Sequence, residues 1–257
     1  MNKECGEPKY IVYYRRNLTL LAQHGIDVAP VSAYGEVAVG LISNEAFRTV
    51  KHLNVDGLLC ETYLDRFIVA TFDEREEDVA PLTEALFRYI AATYEEWIDR
   101  ERNVENIEIL LSILISEGSI PIQKVLDFGC GIGLAQEPAS TFAWTLVCYD
   151  LSPEMRRIAA NQGLIVWGPN ELLAQQPGSV DGAFASYVFD VIPTREELEL
   201  VWRCIANGGL LVGNFHKGRG LETVTQVLVS LGAIVIEVEP ASDPRHGTYL
   251  AYRKPML

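Results

Sequence analysis

The sequence predicts an α/β chain, a doubly wound, mostly parallel seven-stranded sheet ending in an antiparallel C-terminal hairpin strand, with a small α+β unit in front of it. Three observations carry this expectation. From about Lys124 onward the short apolar runs KVLDFG, TLVCYD, LIVWG, VDGAFASYV and GGLLVGNF are separated by helical patterns or loops, the rhythm of a parallel sheet assembled from strand-helix-strand units. The last two runs, AIVIEVEP and GTYLAYRK, are joined by a short polar loop containing Asp243, Pro244 and Gly247 rather than by a helix, so they form an antiparallel pair. The residues up to about Asp78 follow neither pattern.

Taken in order, EVAVGLIS, GLLCETY and RFIVATF of that first stretch are strand-like, with NEAFRTVKHL a helix between the first two. Residues 1–78 are therefore a small α+β unit. The acidic run DEREED leads into a helix starting near Pro81, a residue favoured in a first helical turn. Leu82, Leu86, Tyr89 and Ile90 recur at helical spacing. A helix or helix pair from Pro81 to Ile115 thus connects the two parts, within a connecting segment of residues 79–123. The larger domain occupies residues 124–257. Its helices carry start and stop signals: Ser152-Pro153 and Pro193-Thr194 precede helical patterns, Ser152 and Thr194 are natural N-caps, and Gly163 and Gly208 mark the ends.

Composition narrows function. With 257 residues, 49% hydrophobic and 22% charged, the chain is neither disordered nor fibrous. A formal charge of -14 repels polyphosphates, whereas nucleic-acid binding rests on neutralising them. Nucleic acid is not an expected partner, and Arg15-Arg16 and Arg156-Arg157 read as solvated faces. The five cysteines, Cys5, Cys60, Cys130, Cys148 and Cys204, form no C-x-x-C pair, so neither a disulfide framework nor a metal site is encoded and a reducing compartment fits. MNKECGEPKY lacks the apolar core of a signal peptide, and no run approaches the ~20 apolar residues that span a bilayer. The expectation is a cytoplasmic protein without a membrane partner.

The segment VLDFGCGIGL carries the chemistry. A buried strand ends in Asp127 and runs into Gly129, Gly131 and Gly133, where the main chain can turn tightly and approach a ligand without Cβ atoms in the way. Open α/β sheets place their ligands at such carboxyl ends. Seventeen residues beyond Gly133, Asp150 closes the second strand, where a carboxylate can accept hydrogen bonds from both hydroxyls of a ribose. A dinucleotide fingerprint would place its third glycine at Leu134; the pattern present is D-x-G-x-G-x-G. A carboxylate just before the glycines suits a cationic amino group better than an anionic pyrophosphate.

In these residues the chain resembles the class I, Rossmann-like family of S-adenosylmethionine-dependent methyltransferases of the small-molecule type. The resemblance extends from about Thr93 to the C-terminus, and YDLSPEM looks like the family's second motif. It implies that Asp127, Phe128, Gly129, Cys130, Gly131 and Gly133 contact the amino-acid part of S-adenosyl-L-methionine and that Asp150 holds its ribose. Leu151 and Met155 would flank the adenine, and Ser186 to Val188 would line the pocket after the fourth strand. After the third strand, where relatives often carry an acid for the adenine amino group, Gly168-Pro169-Asn170-Glu171 stands here, leaving Asn170 or Glu171 to substitute. Pro138 shortens the helix after the glycine loop. IAATYEEWIDRERN resembles the family's lid helix, with Tyr94 and Trp97 on one face; Tyr94 would cover the methionine end, where a cation is attracted to a ring. Core packing is the competing account of that pair.

A sulfonium methyl group is already activated, so aligning the acceptor in line with the methyl-sulfur bond supplies much of the rate, and a base is needed only for an acceptor that must lose a proton. His216, after the fifth strand, is the candidate base; the alternative is a surface histidine beside Lys217 and Arg219. Tyr187 and Asp190, just past the fourth strand, are candidates to touch substrate or cofactor, or to pack against the sheet. The expected partner is a small-molecule acceptor, and the N-terminal unit would cover the pocket or pair two copies in a homodimer. Two other readings stay open: a non-catalytic cofactor-binding regulator that recruits a partner, and a nicotinamide dehydrogenase, disfavoured by Leu134 and Asp127.

Overall fold

The computed structural model describes residues 7–51, 58–72, 79–191, 193–218, 220–238 and 244–256. The acidic run 73–78, Arg219 and Asp243 lie outside the described residues. The chain divides into two compact units, Met1–Trp97 and Ile98–Leu257.

The first unit runs β1 (Lys9–Tyr14), α1 (Leu18–Gln23), β2 (Ala29–Tyr34), β3 (Val37–Ile42), α2 (Asn44–Lys51), β4 (Leu58–Tyr63), β5 (Phe67–Phe72) and α3 (Ala80–Ile90). Among the described residues its sheet has the order β2-β3-β1-β5-β4, with β1 parallel to β5 and the other pairs antiparallel. Strands β1 and β2 are additions to the sequence-based expectation. The apolar run KYIVYY of β1 buries its last four residues at the sheet centre. By contrast β2 is an edge strand, half to fully exposed, with Pro30 at a register shift between Pro30 and Ser32, the place where a residue lacking an N–H is tolerated. Helix α3 has Pro81 in its first turn and turns Leu82, Ala85, Leu86 and Ile90 into the core. The helical pattern then breaks: Ala91–Glu96 is a 3-10 segment with Thr93 outside helical geometry (φ -123°).

The second unit begins with a separately capped helix, α4 (Arg100–Glu117), whose N-cap Asp99 accepts a 3.0 Å hydrogen bond from the Arg102 N–H. Of the helix or helix pair expected between Pro81 and Ile115, the structure has the pair, α3 in the first unit and α4 in the second. There follow β6 (Lys124–Phe128), α5 (Gln136–Ala139), β7 (Thr145–Tyr149), α6 (Pro153–Asn161), β8 (Ile165–Trp167), α7 (Pro169–Ala174), β9 (Val180–Ala185), α8 (Arg195–Cys204), β10 (Ile205–Phe215), α9 (Leu221–Ser230), β11 (Ile234–Val238) and β12 (Thr248–Arg253). The sheet formed by the described residues is β11-β12-β10-β9-β6-β7-β8, parallel except for β12, which runs antiparallel to both its neighbours. The doubly wound architecture with an antiparallel C-terminal strand is that expected.

One boundary moves. The sequence places the end of α8 at Gly208, but the helix stops at Cys204 and Ile205 already belongs to β10. A bulge between Ile205 and Leu210 accommodates Gly208 (φ +82°), whose N–H bonds the Lys254 carbonyl at 2.9 Å, so pairing with the β12 end wins over another helical turn.

Two apolar layers enclose this sheet. On one face Leu126, Phe128, Leu211 and Tyr252 pack with Leu198, Val201 and Leu228 of α8 and α9. On the other, α4 presents Ile107, Leu110, Leu111 and Leu114 to Phe184, Val212 and Tyr249, each fully buried leucine contributing roughly 1.5–3 kcal/mol. Asn106, one residue before Ile107, is equally buried. Strand order reverses at β6, since β7 and β8 lie on one side and β9 and β10 on the other, and a ligand crevice opens at such a switch point. No described helix is long and apolar enough to cross a membrane.

Candidate active site

At the carboxyl end of β6 the chain enters three left-handed glycines, Gly129, Gly131 and Gly133 (φ +78°, +55° and +93°), a region costly for any residue with a Cβ. Space adds to this at Gly129, where a Cβ would run into Val188, and at Gly133 a Cβ would require the tip of Leu164 to move. The N–H groups of Gly129 and Cys130 both bond the Tyr149 carbonyl at 2.8 Å, folding the loop over the end of β7. There Asp150 is held by main chain, its Oδ2 accepting from the Gly131 N–H and its Oδ1 from the Ser152 N–H, both at 2.8 Å. Gly131 and Asp150 therefore share one crevice. Each carboxylate oxygen keeps a lone pair for a further donor.

The crevice is electrostatically one-sided. Burial, with Asp150 nearby, raises the carboxyl of Asp127 well above the ordinary range. Burial pushes Asp150 up to about 6 against the opposing pull of the Ser152 and Gly131 N–H groups and of Arg156. Two carboxyls at the ends of adjacent strands, β6 and β7, are relieved by a ligand that brings a positive charge and hydroxyl donors.

The walls continue from Asp150. One Arg156 guanidinium nitrogen donates to the Asp150 and Leu151 carbonyls at 2.7 Å each, fixing the turn where half-buried Leu151 sits. Ser152 caps α6 by accepting from the Met155 N–H, and the Met155 side chain is buried. Asn170 and Glu171 are exposed at the start of α7. Glu171 spends one carboxylate oxygen on the Gly168 N–H at 2.9 Å, closing its own helix, and its own and Gly168's N–H groups hold its carboxyl below the usual range.

Beyond β9 the material changes from main chain to side chains. Tyr187 has a left-handed backbone (φ +58°), a strained state for a bulky residue. Its N–H is held by Asn214 Oδ1 of β10 at 2.8 Å. Asn106 of α4 donates to Ser186 Oγ (2.8 Å) and Asn214 Oδ1 (3.1 Å) and accepts from the Tyr249 hydroxyl (2.6 Å), while Asn214 donates to the His246 carbonyl (2.8 Å). The Tyr187 hydroxyl stands 2.6 Å from Nδ1 of fully buried His246, whose Nε2 lies 3.4 Å from the Glu105 carboxylate. Val188, adjacent to Tyr187, is the residue packed on Gly129, which ties this cluster to the glycine loop.

Of the sequence-derived residues, Gly129, Cys130, Gly131 and Gly133 form the loop that bends over Asp150, with Asp127 just before it and Leu151 just after Asp150; Phe128 instead turns into the apolar layer under α8 and α9, and Ser186 and Tyr187 adjoin the loop through Val188. His216 stands edge-on to the Tyr187 ring at 5.6 Å. One Arg102 guanidinium nitrogen sits 3.1 Å from its Nδ1 and 3.4 Å from its Nε2, and burial followed by Arg102 lowers its pKa, so it is a neutral ring facing a cation. Asp190 accepts from the Lys217 N–H at 2.9 Å. Tyr94 belongs to the first unit, 6.5 Å from the Phe87 ring. Glu105, Asn106, Asn214 and His246 were not singled out from the sequence. The readable signal was polar: Asn214 interrupts an apolar strand, and Asn106 an apolar helix face.

Residues 126–213, from β6 to β10, match the family model described as a methyltransferase domain. A ubiquinone biosynthesis O-methyltransferase of Schizosaccharomyces pombe, a mitochondrial protein, is 26% identical over 120 residues, 45% of this chain and 44% of that one. A ubiquinone biosynthesis O-methyltransferase of Xanthomonas campestris pv. campestris is 26% identical over 126 residues, 44% of this chain and 52% of that one. The chain thus spans about half the length of the curated relatives it matches. Among solved structures, the magnesium protoporphyrin IX methyltransferase ChlM of Synechocystis PCC 6803 with bound SAM superposes with a TM-score of 0.53 at 16% identity, covering 69% of this chain and 98% of that one.

Proposed function

We propose that this protein, whose second unit is a class I methyltransferase domain by motif and by fold, transfers a methyl group from S-adenosyl-L-methionine to a small-molecule acceptor by in-line displacement. The observation that carries the reading is the bond from the Gly131 N–H to the Asp150 carboxylate, which joins a glycine-rich loop and a ribose-competent acid in one crevice. The residues present fit the cofactor. Asp127 and the glycine loop would hold its cationic amino-acid end, Asp150 the two ribose hydroxyls, and Leu151 with Met155 the adenine side. Bound there, the cofactor supplies an activated methyl group, and the protein's work is to align the acceptor and exclude water, a contribution of up to ~7–11 kcal/mol. The relatives, named as ubiquinone biosynthesis O-methyltransferases, support a small acceptor, and the formal charge of -14 disfavours nucleic acid.

Calorimetry of the full chain tests this directly: saturable one-site binding of S-adenosylmethionine is expected, and its absence overturns the proposal. A labelled-methyl assay with a metabolite pool separates an enzyme from a sensor, because a sensor binds cofactor and leaves every acceptor unlabelled.

A further inference from the structure

We propose that Tyr187, His246 and Glu105 form a proton relay that deprotonates a hydroxyl-bearing acceptor, with Tyr187 as the residue touching the acceptor and His246 and Glu105 as the groups that position and take up the proton. This deepens the methyl-transfer reading and rests on it.

The geometry orders the three groups. Tyr187 Oη is 2.6 Å from His246 Nδ1, and His246 Nε2 is 3.4 Å from a Glu105 carboxylate oxygen. The Glu105 carboxylate makes no hydrogen bond to Nε2 at this separation, but its negative charge beside that nitrogen favours the tautomer with the proton there, which leaves Nδ1 as the acceptor and makes the Tyr187 hydroxyl the donor. The Tyr187 oxygen keeps lone pairs for an incoming O–H. The Arg102 guanidinium lies over the Tyr187 ring, 5.5 Å from its centroid, and a cation there favours phenolate character. Two further features mark the arrangement as built for a purpose. Tyr187 is held in a left-handed backbone by Asn214, strain of the kind found at working sites. It also directly precedes Val188, the residue against Gly129 of the cofactor loop.

The proton and electron accounts close. The acceptor O–H bond breaks as its proton passes to Tyr187 Oη, and the former Tyr187 proton moves to His246 Nδ1. The acceptor oxygen forms its bond to the methyl carbon while the sulfur keeps the electron pair of the bond that breaks. The sulfonium charge disappears and an imidazolium beside Glu105 appears, later losing its proton to solvent. An alcohol or phenol needs such a relay, because its proton is still on at neutral pH; a thiol, with an ordinary pKa of about 8.5, needs it far less.

The test uses the full chain. Nitrogen-15 NMR of the imidazoles between pH 5 and 9, with the His246 signal assigned by its loss in His246→Gln, is expected to show an unprotonated Nδ1 and a protonated Nε2 at neutral pH, and Glu105→Gln is expected to weaken that bias. The charged and titratable neighbours are Glu105 and Arg102 on α4, Arg245 beside His246, Tyr187, and His216 after β10. A protonated Nδ1 throughout marks a structural donor and overturns the relay. In parallel, labelled S-adenosylmethionine is supplied with a pool of simple phenols, primary amines and thiols. Label is expected in the phenols, and Tyr187→Phe is expected to lower that transfer on the order of 10²-fold or more and to remove the pH dependence of kcat. Label only in amines or thiols, or none while cofactor binding is intact, overturns the hydroxyl assignment alone; loss of cofactor binding by the unmutated chain overturns the underlying methyl-transfer reading.

Discussion

The glycine crevice and the polar cluster sit at the same edge of one sheet, yet one is built of main chain and the other of side chains. In the crevice the peptide N–H groups of Gly129, Cys130 and Gly131 are spent on the Tyr149 carbonyl and the Asp150 carboxylate and so hold the loop's own shape, and recognition depends on what is missing at Gly129, Gly131 and Gly133. In the cluster, Asn106, Ser186, Tyr187, Asn214, His246 and Tyr249 satisfy one another across four chain segments. A backbone site suits a ligand that never changes, because it leaves nothing to re-pack. A side-chain site can be reshaped one residue at a time, which suits an acceptor pocket.

The sharpest way to break this contrast is to add a side chain where the crevice has none. Gly129→Val faces a left-handed backbone worth ~1–2 kcal/mol and a collision with Val188 worth ~1–3 kcal/mol, so denaturant unfolding should report a loss of about 2–5 kcal/mol and calorimetry no cofactor binding. Tight binding by this variant would show that the loop is only a turn. Next is subtraction from the cluster: Asn214→Leu removes the acceptor for Asn106 Nδ2 and for the Tyr187 N–H, at ~1–3 kcal/mol per orphaned group. About 3 kcal/mol should disappear in the same measurement, with cofactor affinity within about threefold of the original if the two regions are independent.

A smaller effect sharpens the crevice side. Asp150 titrates near 6 in the folded chain, above the ordinary 3.8, so between those values the folded state binds more protons than the unfolded one. Its contribution to stability is therefore greatest below about pH 4 and is lost as pH rises through 6, a decline of about 3 kcal/mol for the cofactor-free chain. Asp150→Asn should flatten that part of the stability profile. It should also weaken S-adenosylmethionine roughly tenfold and remove the rise in affinity between pH 5 and 7, by calorimetry at stepped pH. The smallest expected effect lies outside both regions: Arg195→Gln breaks the exposed Arg195–Glu199 pair of α8 (2.7 Å) and should change stability by less than about 0.5 kcal/mol.

The contrast also explains how much could be read beforehand. A main-chain site writes itself locally, because glycine is the residue that tolerates both the φ values and the close approach, and so Asp127 to Gly133 and Asp150 stand out in a single chain. The sheet of the second unit was legible for a similar reason, since each strand-helix alternation is a local pattern. The cluster was not: His246 meets Tyr187 from 59 residues away and Asn106 meets Tyr249 from 143, and no spacing rule links them. In the first unit, the exposed, proline-containing edge strand β2 lacked the alternation that marks half-buried strands. The end of α8 misled because Gly208 serves a β-bulge here, and glycine signals both kinds of termination.

Strand β12 has a consequence for how the molecule comes into being. It lies between β10 and β11 and carries Tyr249, with His246 two residues ahead of its start. During synthesis from the N-terminus, β10 and β11 emerge with an open slot between them, and the sheet cannot close until residues 248–253 have cleared the ribosome. The same late segment delivers the imidazole that meets Tyr187. A nascent chain halted before His246 can bend its glycine loop but has no imidazole for the Tyr187 hydroxyl, so the proposed catalytic apparatus is completed only when translation of this stretch is done.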